Sequence, residues 1–132
     1  VRVWLECGAV ISAVQYLKAQ QARRKIQEAV SRVFQQVDVV VAPTLTTAAP
    51  EIGQTFRQVN GVSKDIAMEF VRMAALANLT GIPAVSIPVG FTATNLPIGM
   101  QIMGKPFDEP TILRVASAYE RVSTVRHRHP ME

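Results

Sequence analysis

The chain predicts an α/β fold, and three stretches of sequence carry that prediction. Its first third is apolar at helical spacing, Asp38–Ala42 (DVVVA) is a β-branched run, and Asn78–Gly90 (NLTGIPAVSIPVG) leads to a second alternating stretch at Leu96–Met103 (LPIGMQIM). Helix-period and strand-period segments therefore follow one another along the chain. The expected order is a long helix, a buried strand, a second helix, a β-hairpin and a final helix, within a single domain over residues 1–132.

In the first helix, Val10, Ala13, Val14, Leu17, Ile26 and Val33 recur at three- and four-residue steps, while Lys18, Arg24, Lys25 and Glu28 fall on the other side. A helix unbroken from Val10 to Gln36 would be about 40 Å long, the width of a larger domain, so its apolar side implies neighbours beyond these residues. Val39–Val41 suits a strand covered on both faces, and Pro43 and Thr44 stop it. Leu45–Ser63 lacks periodicity and reads as a long loop. Lys64–Ala77 returns to helical spacing through Ile66, Phe70, Met73 and Ala77, with Gly81 suited to the turn that follows.

Pro83 and Pro88 fence Ala84–Ile87, and because proline cannot donate a ladder hydrogen bond they predict the two ends of a short strand. In Leu96–Met103, Ile98, Met100 and Ile102 alternate with Gly99, Gln101 and Met103, so the two segments predict an antiparallel hairpin. Asp108 or Thr111 can cap a last helix through Ile112, Val115, Ala116, Tyr119 and Val122, ahead of the basic tail Arg126–His129. There is no repeat, linker or low-complexity segment.

Bulk properties narrow the function. A chain of 132 residues, 48% hydrophobic and 18% charged, is long enough for one domain with a genuine core. The formal charge of +4 comes from basic residues interleaved with acidic ones, and aromatics make up 6%, which does not predict a nucleic-acid partner. The single cysteine, Cys7, rules out an internal disulfide. With no signal-like or membrane-length apolar segment, the expectation is a cytoplasmic protein without a membrane partner.

Chemistry is sparser than architecture. Ser12, Ser31, Ser63, Ser86, Ser117 and Ser123 lie in no recognisable nucleophile motif. Cys7, beside apolar residues, suits a core position better than a thiolate partnered by His127 or His129, and those two histidines suit a solvated tail better than a metal site lacking further ligands. Gly81, Gly90, Gly99 and Gly104 match neither a phosphate-binding loop nor a dinucleotide fingerprint. No catalytic residue, cofactor or metal is predicted. Asn78-Leu79-Thr80 fits a helix-ending polar turn better than a glycosylation acceptor, and Lys18, Arg23, Arg24, Lys25 and Arg32 suit an ordinary wet helix face.

Four segments nevertheless resemble the C-terminal part of the amidase signature family, in matching order and spacing. They are SAVQYLKAQQARRKI, DVVVAPTLTTAAPEIG, NLTGIPAVSIPVGF and LPIGMQIMGKPFDEPTILRVASAYE, the last running toward HRHP. The resemblance covers nearly the whole chain. It implies a strand bounded by Pro83 and Pro88 inside a large sheet wrapped by helices, and a serine hydrolase that cleaves a carboxamide through an acyl-enzyme. It also implies that the family's two serines and lysine lie in a signature upstream of these residues, so no catalytic residue is transferred and this chain alone is expected to be inactive.

The resemblance makes Pro43-Thr44-Leu45-Thr46-Thr47 a pocket wall, since α/β sheets present ligand contacts where strands end. Thr44 and Asn78 are the candidate substrate-binding residues. The plainer alternative, that they tie down a turn and a helix end, weighs more heavily on their chemistry alone. Arg2 lies where the family often has arginine. Val71 occupies the position where the amidotransferase branch of this family carries an acidic residue, which favours a general amide hydrolase over a component of a glutamyl-tRNA amidotransferase. The implied partners are the missing N-terminal portion or another protein chain, a further copy of itself, and a small-molecule amide. A non-catalytic interaction module is the competing class.

Overall fold

The computed structural model describes residues 2–128. The long helix expected over Val10–Gln36 is present as α2 (Ala13–Val33), and a short helix that was not expected, α1 (Arg2–Ala9), precedes it. Ser12 separates the two. Its hydroxyl accepts from the Gln15 backbone N–H, and its own N–H donates to Gln15 Oε1, a reciprocal capping box that starts a new helix. The N-terminal half of α2 is uncovered, with Val14 62% and Leu17 60% exposed, whereas its C-terminal end packs through Phe34.

Next come β1 (Val39–Pro43), β2 (Phe56–Val59), β3 (Val62–Asp65), α3 (Ile66–Thr80), β4 (Ala84–Phe91), β5 (Pro97–Gly104) and α4 (Glu109–Val122). The main sheet has the order β1-β5-β4 and is antiparallel, with Val41 opposite Ile102 and Val85 opposite Ile102 on the other side. The expected hairpin is present as β4 and β5. Central β5 is covered on both faces. Ile102 packs with Ile112 and Ala116 of α4 together with Val39, Val85 and Met100. On the opposite face Met103 lies with Val30, Phe34, Val40 and Leu76. Helices therefore flank the sheet on both sides. A close approach occurs at Gly104, where a Cβ would stand 2.5 Å from Ile112 Cγ2.

Several expectations change in detail. The strand expected to be buried, β1, is at a sheet edge, and Val41 is 54% exposed because β5 covers it on one side only among the described residues. The expected loop from Leu45 to Ser63 contains a β-hairpin: β2 and β3 pair through Asn60 (φ 51°) and Gly61 (φ 78°), two left-handed residues that match the twist of a two-residue turn. Pro88 does not end its strand. It sits within β4 opposite Gly99, beside a bulge between Pro88 and Gly90, which β4 tolerates because among the described residues it is an edge strand with no further neighbour to require the missing N–H.

α3 starts two residues later than expected, because the Asp65 carboxylate accepts from the N–H groups of Ala67 and Met68. It ends at Gly81 (φ 76°), as expected, and includes Asn78. Arg23, assigned from sequence to a wet face, instead donates from Nε to the Leu79 carbonyl at 2.6 Å, and Gln27 donates to the Thr80 carbonyl at 3.1 Å. These bonds satisfy the last carbonyls of α3 and fasten α2 to it. Cys7 is exposed on α1 and is not a core residue, since α1 has no cover among the described residues.

Asp108 does precede α4, but its carboxylate accepts from the Thr111 hydroxyl (2.8 Å) and caps no backbone N–H. The basic tail turns back: the Arg128 guanidinium lies 4.3 Å from the centre of the Phe91 ring and donates to Asn95 Oδ1. His127 is exposed, and His129, the other member of the sequence's histidine pair, lies outside the described residues.

Candidate functional site

Thr44 follows the last residue of β1, and its N–H donates to the Gly99 carbonyl (2.9 Å), extending the ladder by one bond. That bond aims the side chain across β5. Thr44 Oγ1 and Ser86 Oγ lie 2.6 Å apart and share a hydrogen bond. The hydroxyls can meet because the intervening strand carries Gly99, where a Cβ would approach Thr44 Oγ1 to 2.8 Å and Ser86 Oγ to 3.0 Å. Each hydroxyl has one proton, and the pair consumes one of the two.

Around this pair opens a groove of about 720 Å³, bounded by the Leu45–Pro50 segment, Phe70 of α3, and Pro97 and Ile98 of β5. Gln101 fixes its floor. The side chain is buried, and its Nε2 donates to the Pro43 carbonyl (3.0 Å) and the Met73 carbonyl (3.3 Å), joining the end of β1 to α3.

A clamp holds the outer wall. The Thr46 hydroxyl donates to Glu69 Oε2 at 2.8 Å, while Lys64 Nζ and Arg72 Nη1 stand 3.5 and 3.7 Å from Glu69 Oε1. The Thr46 bond foremost, with help from Lys64 and Arg72, holds the Glu69 carboxyl below the usual carboxylate range against the opposing effect of burial. Arg57 Nη1 donates to the Ala48 carbonyl, fastening the β2–β3 hairpin to the same segment.

Of the two sequence candidates, Thr44 lies in the groove. Asn78 is exposed in the last turn of α3 and does not line it, and the helix end that Asn78 was assigned is tied by Thr80, whose hydroxyl donates to the Leu76 carbonyl at 2.7 Å. Sequence reasoning passed over Ser86, Gly99, Gln101 and Glu69. Alternation gave a usable signal for one relation: Gly99 and Gln101 share one face of β5. Arg2 is an exposed partner of Glu6 at 2.8 Å, away from the groove-lining set. Another cavity, about 310 Å³, lies between α4 and β4 beneath Leu113 and Tyr119 and contains neither sequence candidate. No helix among the described residues is long and apolar enough to cross a membrane.

A helix-flanked antiparallel sheet with this groove at the end of its first strand defines the class: the chain belongs to the amidase signature family, whose Amidase model matches residues 2–113. It is 37% identical over 131 residues to an amidase of Pseudomonas putida, a match covering 98% of this chain and 28% of that protein. It is 43% identical over 107 residues to a glutamyl-tRNA(Gln) amidotransferase component of Myxococcus xanthus, covering 80% of this chain and 21% of that one. Among solved structures, a bacterial aryl acylamidase of the amidase signature enzymes superposes with a TM-score of 0.74 at 28% identity, over 91% of this chain and 25% of its own. The chain thus spans between about a fifth and little more than a quarter of the length of these relatives.

Proposed function

We propose that this chain is the C-terminal portion of an amide hydrolase and that its groove forms one wall of the amide site. The observation that carries the proposal is the Thr44–Ser86 hydroxyl pair, which joins two of the segments with family likeness at the edge of an open groove. A carboxamide presents one carbonyl acceptor and N–H donors, and two hydroxyls that keep one free proton and several lone pairs complement both. Thr44 is the sequence candidate that this reading retains as a substrate contact, and Ser86 joins it. Asn78, outside the groove lining, is retained only as a support of the neighbouring α3 end.

The bond-breaking groups belong, in this reading, to an upstream portion. There a serine oxygen adds to the amide carbonyl, the C–N bond breaks with release of ammonia or an amine, and water hydrolyses the resulting ester. The lysines here lie on the surface or in ion pairs: Lys18 and Lys25 are exposed, Lys64 pairs with Glu69, and Lys105 Nζ lies 3.1 Å from Asp38 Oδ1. The 132-residue chain is therefore expected to be inactive alone, acting in the cytoplasm with its upstream portion, and self-associating when separated from it.

Amidase assays on the isolated chain, and again after it is mixed with or fused to the upstream portion, test this directly. Activity only in the second case is expected; turnover by the isolated chain would refute it. The competing reading is a non-catalytic interaction module, favoured by the uncovered apolar residues Val10, Ile11, Val14 and Leu17 at the junction of α1 and α2. A reconstituted chain that binds its partner yet hydrolyses no amide would support that alternative.

A further inference from the structure

We infer that Glu69 is a positioning residue of the amide site: through Thr46 it holds the Leu45–Pro50 wall of the groove in place without itself touching substrate. The inference rests on the amide-binding role proposed above. Thr46 and Ala48 line the groove, whereas Glu69, Arg57, Lys64 and Arg72 stand behind it. The wall belongs to no helix or strand, so no backbone ladder fixes it. Its place depends on side chains that reach it from α3 and from the β2–β3 hairpin.

The Glu69 side chain is only 14% exposed. A carboxylate so covered needs donors, and three converge on it: the Thr46 hydroxyl at 2.8 Å, Lys64 from β3, and Arg72 one turn further along α3. Lys64 and Arg72 fix the carboxylate from its own side, and Thr46 is the partner that belongs to the wall. The hairpin repeats the arrangement. Arg57 and Lys64 are directly opposite in the β2–β3 register, a like-charge pairing that destabilises a hairpin unless each cation finds its own acceptor. Arg57 takes the Ala48 carbonyl and Lys64 takes Glu69, so both cations serve the wall and its anchor. All of these groups belong to this chain. Loosening them weakens substrate binding and leaves the bond-breaking groups of the upstream portion unchanged.

The test uses the chain joined to its upstream portion, with acetamide and benzamide as probes and KM and kcat measured on the faster of the two. Glu69→Ala is expected to raise KM about tenfold, the loss of one hydrogen bond to a charged group, with kcat within about twofold of the parent. Glu69→Gln, still able to accept from the Thr46 hydroxyl, should recover most of that loss. Thr46→Val, a change at an exposed position that leaves folding intact, should raise KM similarly, and adding Glu69→Ala to it should raise KM little further. Arg23→Ala, which loosens the far end of α3, controls for general destabilisation and should leave KM unchanged. An unmoved KM in Glu69→Ala, an equal rise in Arg23→Ala, additive effects of Thr46→Val and Glu69→Ala, or a fall in kcat alone overturns the positioning role and leaves amide hydrolysis standing. A joined protein that hydrolyses neither probe overturns the amide reading and this inference with it.

Discussion

Thr44 Oγ1 and Ser86 Oγ lie 2.6 Å apart although β1, which Thr44 directly follows, and β4, which holds Ser86, are not neighbours. The bond passes over β5 at Gly99, the position in the sheet where a side chain would separate them. Floor and hydroxyl pair are therefore one feature.

Gly99→Ala should break that feature. The new Cβ would meet Thr44 Oγ1 at 2.8 Å, Ser86 Oγ at 3.0 Å and Thr44 Cβ at 3.2 Å, so β1 and β4 must spread. A loss of about 1–3 kcal/mol in chemical denaturation is expected from such overpacking. Combining it with Thr44→Ala, which removes the nearest oxygen, should recover part of the loss; no recovery would place the strain elsewhere.

Gln101→Leu keeps the approximate volume but removes the side-chain donor to the Pro43 and Met73 carbonyls. Two hydrogen bonds at about 0.5–1.5 kcal/mol each are lost, so the melting temperature should fall. Hydrogen exchange should rise both at the end of β1 and in the middle of α3, because one side chain joins them. Faster exchange at only one of the two sites would contradict the coupling.

Arg23→Ala should loosen the last turn of α3 by removing the donor at Leu79, with a loss of about 0.5–1.5 kcal/mol and faster exchange confined to that turn. Arg24→Ala is the contrast. Its partner Glu28 is an exposed neighbour on the same helix, so the change should stay within about 0.5 kcal/mol. Equal effects from the two substitutions would show that Arg23 is not a cap.

Glu69 links the outer wall to pH. Its folded-state pKa lies below the ordinary value of 4.5, so the folded chain binds a proton there less readily than the unfolded chain does. Its contribution to stability is therefore complete above about pH 4.5 and is lost as pH falls through the lower, folded value. Thr46→Val removes the foremost cause and should raise the Glu69 midpoint in a carbon-detected NMR titration. An unmoved midpoint would assign the shift to Lys64 and Arg72 instead.

Much of this architecture is legible in periodicity alone. Helical spacing located the bodies of α2, α3 and α4, alternation located β5, and Gly81 marked the end of α3. Local turn chemistry held signals that periodicity overlooked: Ser12 with Gln15 three residues on starts α2, and Asn60-Gly61 between Phe56–Val59 and Val62–Asp65 marks a hairpin. Pro88 misled for a physical reason. Proline forbids a ladder donation, but β4, an edge strand among the described residues, demands none there.

The sequence by itself determined the three longer helices, the β4–β5 strand pair, the family likeness and the presence of threonine just after the first strand. Only the tertiary structure decided which residues meet: Thr44 with Ser86, 42 positions apart, and Gln101 with both Pro43 and Met73. The physical reason is that periodicity reports which side of an element is apolar, whereas these hydrogen bonds depend on strand order and on β5 entering between β1 and β4. That insertion puts a glycine beneath two hydroxyls and a carboxamide beside two carbonyls, relations with no local trace in the chain.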